Sequence, residues 1–169
     1  MAAQNSLLQS VTNLIQQVDL YPVAIDILEF AIRNLIMHLT NSSETIGMLN
    51  VTDESCLMVL VKQQNITFVR RIPVGIKNLK NDDYSNLIAE LQRSFNYCQT
   101  ELKQEIPSKL LLPPQAALDK NIALNIAKIL NQEIAFFSLA EVVKFKTPIT
   151  QELEAKCWAA VGGALRDTT

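Results

Sequence analysis

Apolar residues open the chain at helical spacing. Leu7, Val11, Leu14, Ile15 and Val18 fall at i, i+4, i+7, i+8 and i+11 and predict a first helix over roughly Asn5 to Val18, with Leu8 widening its stripe. Asp19-Leu20-Tyr21-Pro22 interrupts it, because Pro22 disfavours helical backbone at Tyr21. A second helix buries Ile27, Leu28, Ala31, Leu35 and Leu39 and stops at Thr40-Asn41-Ser42-Ser43. Three strand-like runs follow: Thr45 to Val51, Ser55 to Lys62 and Ile66 to Pro73. The middle run contains the continuous apolar segment LMVLV, the mark of a strand buried on both faces. The turns between them, Thr52-Asp53-Glu54 and Gln63-Gln64-Asn65, are short enough to make two antiparallel hairpins.

Beyond Gly75 the pattern alternates helix and strand. Asn81, Asp82 and Asp83 offer N-cap chemistry to a helix with the stripe Leu87, Leu91, Phe95, Cys98 and Leu102, which Pro107 is expected to end. Lys109 to Leu112 is a short strand stopped by Pro113-Pro114. A helix over Ala117 to Leu130, a strand over Ile134 to Ser138 and a last helix over Glu152 to Arg166 complete the chain. In that last helix Leu153, Cys157, Ala160, Val161 and Ala164 form the expected stripe, and Gly162-Gly163 reads as close packing. Three antiparallel strands followed by helical crossovers give one mixed α/β sheet with helices on both faces. The expected order is 3-2-1-4-5, with strands 4 and 5 parallel to strand 1.

Composition narrows the function. With 49% hydrophobic and 19% charged residues, the chain buries a substantial core and is not disordered. A net charge of −2 leaves no electrostatic footprint for nucleic acid. No apolar run is long enough to span a membrane. Cys56, Cys98 and Cys157 lie far apart and read as buried free thiols; a single His38, near the end of the second helix, is too few for a histidine metal site. No GxSxG, Walker A, GxGxxG or HExxH motif is present. Asp53-Glu54 reads as a turn and Asp82-Asp83 as a helix cap rather than as paired catalytic carboxylates. Arg70-Arg71 sends one guanidinium to each face of its strand and reads as a solvated edge.

Four segments in order resemble the C-terminal half of the PilM family of type IV pilus assembly proteins, which have an actin-like ATPase fold. Residues 2–36 are similar to a helix, a Gly-Leu-x-Pro turn and a second helix. Residues 46–75, IGMLNVTDESCLMVLVKQQNITFVRRIPVG, resemble a Val-Asp-Ile-Gly strand followed by Phe-x-Arg-x-Ile-Pro-x-Gly. LIAELQRSFNYCQ (87–99) and WAAVGGALRD (158–167) are similar to that family's next and last helices. The resemblance implies an RNase H-like lobe over residues 41–169, with residues 1–40 a helical lead-in to a first lobe that lies outside this chain.

The departures are as informative as the matches. Where nucleotide-binding members end the first strand in Asp-Ile-Gly, a loop that approaches magnesium and phosphate, this chain has Asn50, Val51 and Thr52. Asn50 lacks the charge a hard cation prefers, and Thr52 adds a side chain where the loop wants bare backbone. The glycine-rich adenosine loop becomes Leu112-Pro113-Pro114-Gln115-Ala116, and proline removes N–H donors. The helical subdomain that PilM and the cell-division protein FtsA insert after Ile-Pro-x-Gly is missing. These departures resemble MshI-type proteins of MSHA pilus biogenesis and, more distantly, the cytoplasmic domain of the type II secretion protein GspL.

The resemblance therefore implies a cytoplasmic scaffold associated with an inner-membrane assembly complex. It would be no enzyme and hold no cofactor, catalytic residue or metal, with degenerate positions Asn50, Thr52, Pro113 and Pro114. Its partners would be inner-membrane pilus or secretion assembly proteins, and a second copy through residues 5–18. The alternatives are an ATP-binding actin-like lobe of a pilus or type II secretion protein and an RNase H-like nuclease. The nuclease needs clustered carboxylates for two metals, and Thr45 to Val51 has none.

Overall fold

The structure is a computed structural model and describes residues 4–40, 43–78, 84–114 and 120–166. The elements run α1 (Asn5–Gln16), α2 (Leu28–Leu39), β1 (Ile46–Val51), β2 (Cys56–Lys62), β3 (Asn65–Ile72), α3 (Ser85–Thr100), β4 (Lys109–Leu112), α4 (Lys120–Leu130), β5 (Glu133–Phe136) and α5 (Gln151–Ala164). The five strands form one sheet in the order β3-β2-β1-β4-β5. β1–β2 and β2–β3 are antiparallel, and β1–β4 and β4–β5 are parallel. This is the expected mixed α/β sheet, with the strand order and directions of an RNase H-like fold.

Side-chain alternation sorts the core into two layers. Leu49, Val51, Cys56, Met58, Leu60 and Ile72 face α3 and α4; Ile46, Met48, Leu57, Val59 and Val61 face α2 and α5. The LMVLV run of β2 thus fills both layers, which is why it carries no polar residue. α2 completes the second layer with Ile32, Leu35 and Ile36, each close to fully buried; burying one such side chain stabilises by about 1.5–3 kcal/mol. At Gly162 in α5 a β-carbon would come within 2.5 Å of the Ala31 carbonyl oxygen, while one at Gly163 would meet nothing within 4 Å. Asn34 locks the same crossing by donating to the Gly162 carbonyl at 2.9 Å.

Several expectations need correction. α3 ends at Thr100, well before Pro107: Lys103 takes a left-handed φ of 53° and the Gln104 N–H reaches back to the Cys98 carbonyl at 2.9 Å. Leu102, expected on its stripe, is therefore exposed beyond the helix. In α5 the buried residues are Trp158 and Gly162, and the predicted Leu153, Ala160 and Ala164 are exposed. The helix is apolar on several sides, so periodicity could not choose the face; the Gly162 contact does. Arg70 is no solvated edge residue. It donates to Glu90 at 2.6 Å and to Ser94 at 2.8 Å, tying β3 to α3, while Glu90 also pairs with Arg93. The β2–β3 turn needs only Gln63 and Gln64, at φ 47° and 70°, and Asn65 already belongs to the strand. Asn81, Asp82 and Asp83 lie outside the described residues.

Candidate functional site at the carboxyl edge of the sheet

β1, β4 and β5 are parallel, so their carboxyl ends share one edge, where open α/β sheets bind ligands. The register pairs Met48 with Leu111, which carries Asn50 level with Pro113 two residues on. The four positions singled out in the sequence, Asn50, Thr52, Pro113 and Pro114, thus come to the same edge.

Asn50 is buried, 7% exposed, and alternation with Ile46 and Met48 turns it toward the α2–α5 layer. Thr52 opens the β1–β2 turn and closes it upon itself. Its N–H donates to the Ser55 carbonyl at 2.8 Å, its hydroxyl to the same oxygen at 2.9 Å, and the Ser55 N–H donates back to the Thr52 hydroxyl at 3.2 Å. The segment after β3 then seals the turn from outside. Ile76 N–H donates to the Thr52 carbonyl at 2.9 Å and Lys77 N–H to the Asp53 carbonyl at 3.0 Å. Gly75 lies so close that a β-carbon there would sit 2.4 Å from the Glu54 nitrogen and 2.5 Å from the Asp53 carbonyl. The acidic pair of the turn is answered by Lys77, 3.6 Å from Asp53 and 3.4 Å from Glu54.

The backbone N–H groups of Thr52 and Ser55 are therefore committed to the turn itself. At the next strand end Pro113 and Pro114, both buried, have no N–H to give. At this edge Asn50 offers no carboxylate to a cation, and Pro113 and Pro114 offer no N–H to a phosphate.

Past β4 and β5 the edge opens. A cavity of about 920 Å³ is walled by Pro114, Phe136, Phe137, Val143, Phe145, Pro148 and Ile149, with Lys120, Lys144, Glu141 and Glu154 among its polar groups. Both carboxylates already hold backbone in place. Glu141 accepts the Ser138 N–H at 2.8 Å in a capping box, and Glu154 accepts the Ser138 hydroxyl at 2.6 Å and the Leu139 N–H at 2.9 Å. Lys120 and Lys144 make no ion pair among the described residues. The sequence reading missed this cavity; the Ser138-Leu139-Ala140-Glu141 capping box was its one readable signal.

The thiols are structural. Cys56 is fully buried at the start of β2 and burial pushes its pKa up to about 12; Cys98 is buried in the same layer and shifted up for the same reason. Cys157 is half-buried. His38 stays within its own helix, where its Nδ1 donates to the Asn34 carbonyl oxygen at 2.9 Å. Among the described residues no cluster of three or more His, Cys, Asp or Glu is placed to hold a metal, and no helix is long and apolar enough to cross a membrane.

No protein-family model matches the sequence, and no curated protein matches it. Among solved structures the chain is similar to one in the PilM–PilN type IV pilus biogenesis complex, with a TM-score of 0.70 at 18% identity over 96% of this chain and 58% of that one. It is also similar to a protein with an actin-like ATPase fold from Bacteroides thetaiotaomicron (TM-score 0.46, 8% identity, 65% of this chain and 39% of that one). A Ppx/GppA family member from Aquifex aeolicus follows (TM-score 0.38, 14% identity, 95% of this chain and 61% of that one). The first likeness shows the fold, and the chain spans little more than half of the structure it matches.

Proposed function

We propose that this chain is a lobe of a scaffold protein on the cytoplasmic side of a type IV pilus assembly machine, of the MSHA kind, without ATPase activity. The observation that carries the reading is the fold likeness to the PilM–PilN pilus biogenesis complex over 96% of the chain. The carboxyl edge supports the scaffold part of it, because Asn50 supplies no carboxylate, Thr52 and Ser55 spend their N–H groups on each other, and Pro113-Pro114 has none. On this reading the partners are inner-membrane assembly proteins of a pilus or secretion system, and a second copy of the chain meets it through residues 5–18.

A second reading, an ATP-binding actin-like lobe, is favoured by the 920 Å³ cavity at the ends of β4 and β5. Titration calorimetry with Mg-ATP separates the two. The scaffold reading expects no measurable heat of binding, and none after Asn50→Asp with Thr52→Gly, since Pro113 and Pro114 remain. Micromolar binding by the unaltered chain would establish the second reading instead. Affinity capture with the chain as bait tests the partner class: recovery of inner-membrane pilus assembly proteins supports the scaffold, and their absence from a membrane extract in which they are detected argues against it.

A further inference from the structure

α1 has no buried residue, no side-chain N-cap and no charge in its first or last turn. At twelve residues it is near the ~12–15 at which even alanine-rich helices are marginal alone, so its stability must come from burying an apolar face. The exposed face is well defined. Leu7, Val11 and Leu14 are 62%, 49% and 65% exposed, and Val18, in the turn that follows, is 66% exposed. Leu8, Thr12 and Ile15 on the neighbouring stripe are half-buried.

The exposed residues are spaced 4, 3 and 4 apart, which is the d-a-d-a repeat of a coiled-coil seam. Leucine occupies both d positions and β-branched valine both a positions, the combination that in a parallel coiled coil selects two strands. From Gln4 to Val18 there is no charged side chain. A second copy in parallel register therefore meets no like charge, whereas an acidic or basic partner finds nothing to pair with. Leu20, Tyr21, Val23 and Ile25, all exposed, continue the apolar surface past the helix. Two heptads alone bury less than the ~1,200 Å² of a standard interface, so the contact should be weak and concentration-dependent.

We propose that α1 pairs in parallel with the α1 of a second copy of this chain through Leu7, Val11, Leu14 and Val18. The inference rests on the second-copy contact named in the proposed function and gives it residues and orientation; it does not depend on the pilus part of that reading, which the affinity capture tests separately. Sedimentation equilibrium of the whole chain across a concentration series tests it. The expected result is a monomer–dimer equilibrium that Val11→Glu with Leu14→Glu abolishes, with the urea midpoint at low protein concentration unchanged because α1 contributes nothing to the core. A monomer at every concentration, or a double variant that still dimerises, overturns the proposal. Orientation is read from Leu14→Cys in a Cys157→Ser background. A parallel pair oxidises to a covalent dimer across the seam; failure to do so, with cross-linking only between Leu7→Cys and Leu14→Cys chains, overturns the parallel arrangement.

Discussion

Where β1 turns into β2 the carboxyl edge of the sheet is shut by its own hydrogen bonds; where β4 and β5 end it opens into a cavity of about 920 Å³. Both halves sit in the position where α/β sheets hold ligands. They differ in what has happened to their polar groups. At the closed half Thr52 and Ser55 satisfy each other and Gly75 lets a second backbone lie against the turn. At the open half apolar walls leave space, while Glu141 and Glu154 are occupied in capping Ser138 and Leu139. An edge position alone thus confers no chemistry. What matters is which donors and acceptors the local turns leave unspent.

The largest expected effect tests the closed half. Gly75→Ala places a methyl against backbone atoms at 2.4–2.5 Å, where no flexible side chain can yield. Overpacking of this kind costs typically 1–3 kcal/mol, and the expectation is the upper end, about 3 kcal/mol by urea denaturation. A neutral result would mean that the turn is not sealed. Next in size is Asn50→Asp, about 2 kcal/mol at neutral pH, from burying a carboxylate at a site only 7% exposed. Burial raises the folded carboxyl pKa above its unfolded value, so the folded state holds its proton more tightly. The deficit relative to the parent chain should shrink as pH falls below that raised pKa. An Asn50→Asp chain as stable as the parent at pH 7 would reveal a carboxylate-ready environment and revive the nucleotide reading of this half.

Much of the fold was legible because it rests on period and on crossovers. The LMVLV run marked β2 as a strand buried on both faces, and the helical crossovers before β4 and β5 fixed their parallel direction and hence the order 3-2-1-4-5. What escaped depends on partners far away in sequence. Arg70 needed Glu90, on a helix that begins beyond β3, before it could read as an ion pair. Gly75 is visible as a glycine, but its reason is the backbone of Asp53 and Glu54 on the other side of a hairpin. The buried face of α5 is chosen by Gly162 against Ala31, a contact that no apolar periodicity encodes. The cavity was invisible because its walls come from irregular segments around Pro114 and between Phe136 and Glu154.

Cys56 probes the closed half by titration. It sits opposite Val51 at the last rung of the β1–β2 ladder, and burial pushes its thiol from 9.0 to about 12. The raised folded pKa means that its contribution is fully present below pH 9 and is lost as pH rises toward 12, because only the unfolded thiol ionises in that window. The limiting slope from this one group is about 1.4 kcal/mol per pH unit. The measurement is the difference between the parent chain and Cys56→Val in alkaline urea denaturation, which isolates this one thiol. Equal slopes would show that the thiol is reached by solvent and that this end of the ladder opens.

The smallest effect belongs to the open half. Lys144 is exposed at the cavity and makes no ion pair among the described residues, so Lys144→Ala removes no native electrostatic partner. Its aliphatic stem can cover some apolar wall, but surface substitutions without a specific partner usually stay within about 0.5 kcal/mol. The expected change in urea midpoint is accordingly near the limit of measurement. A loss above about 1 kcal/mol would mean that the lysine stem is part of the wall's packing and that the open half, like the closed one, is held by its own side chains. The contrast between the two halves would then be one of shape alone. A near-zero change leaves Lys144 as a cation held at the mouth of an apolar space without structural duty, which is where the two halves of the edge differ most in chemistry.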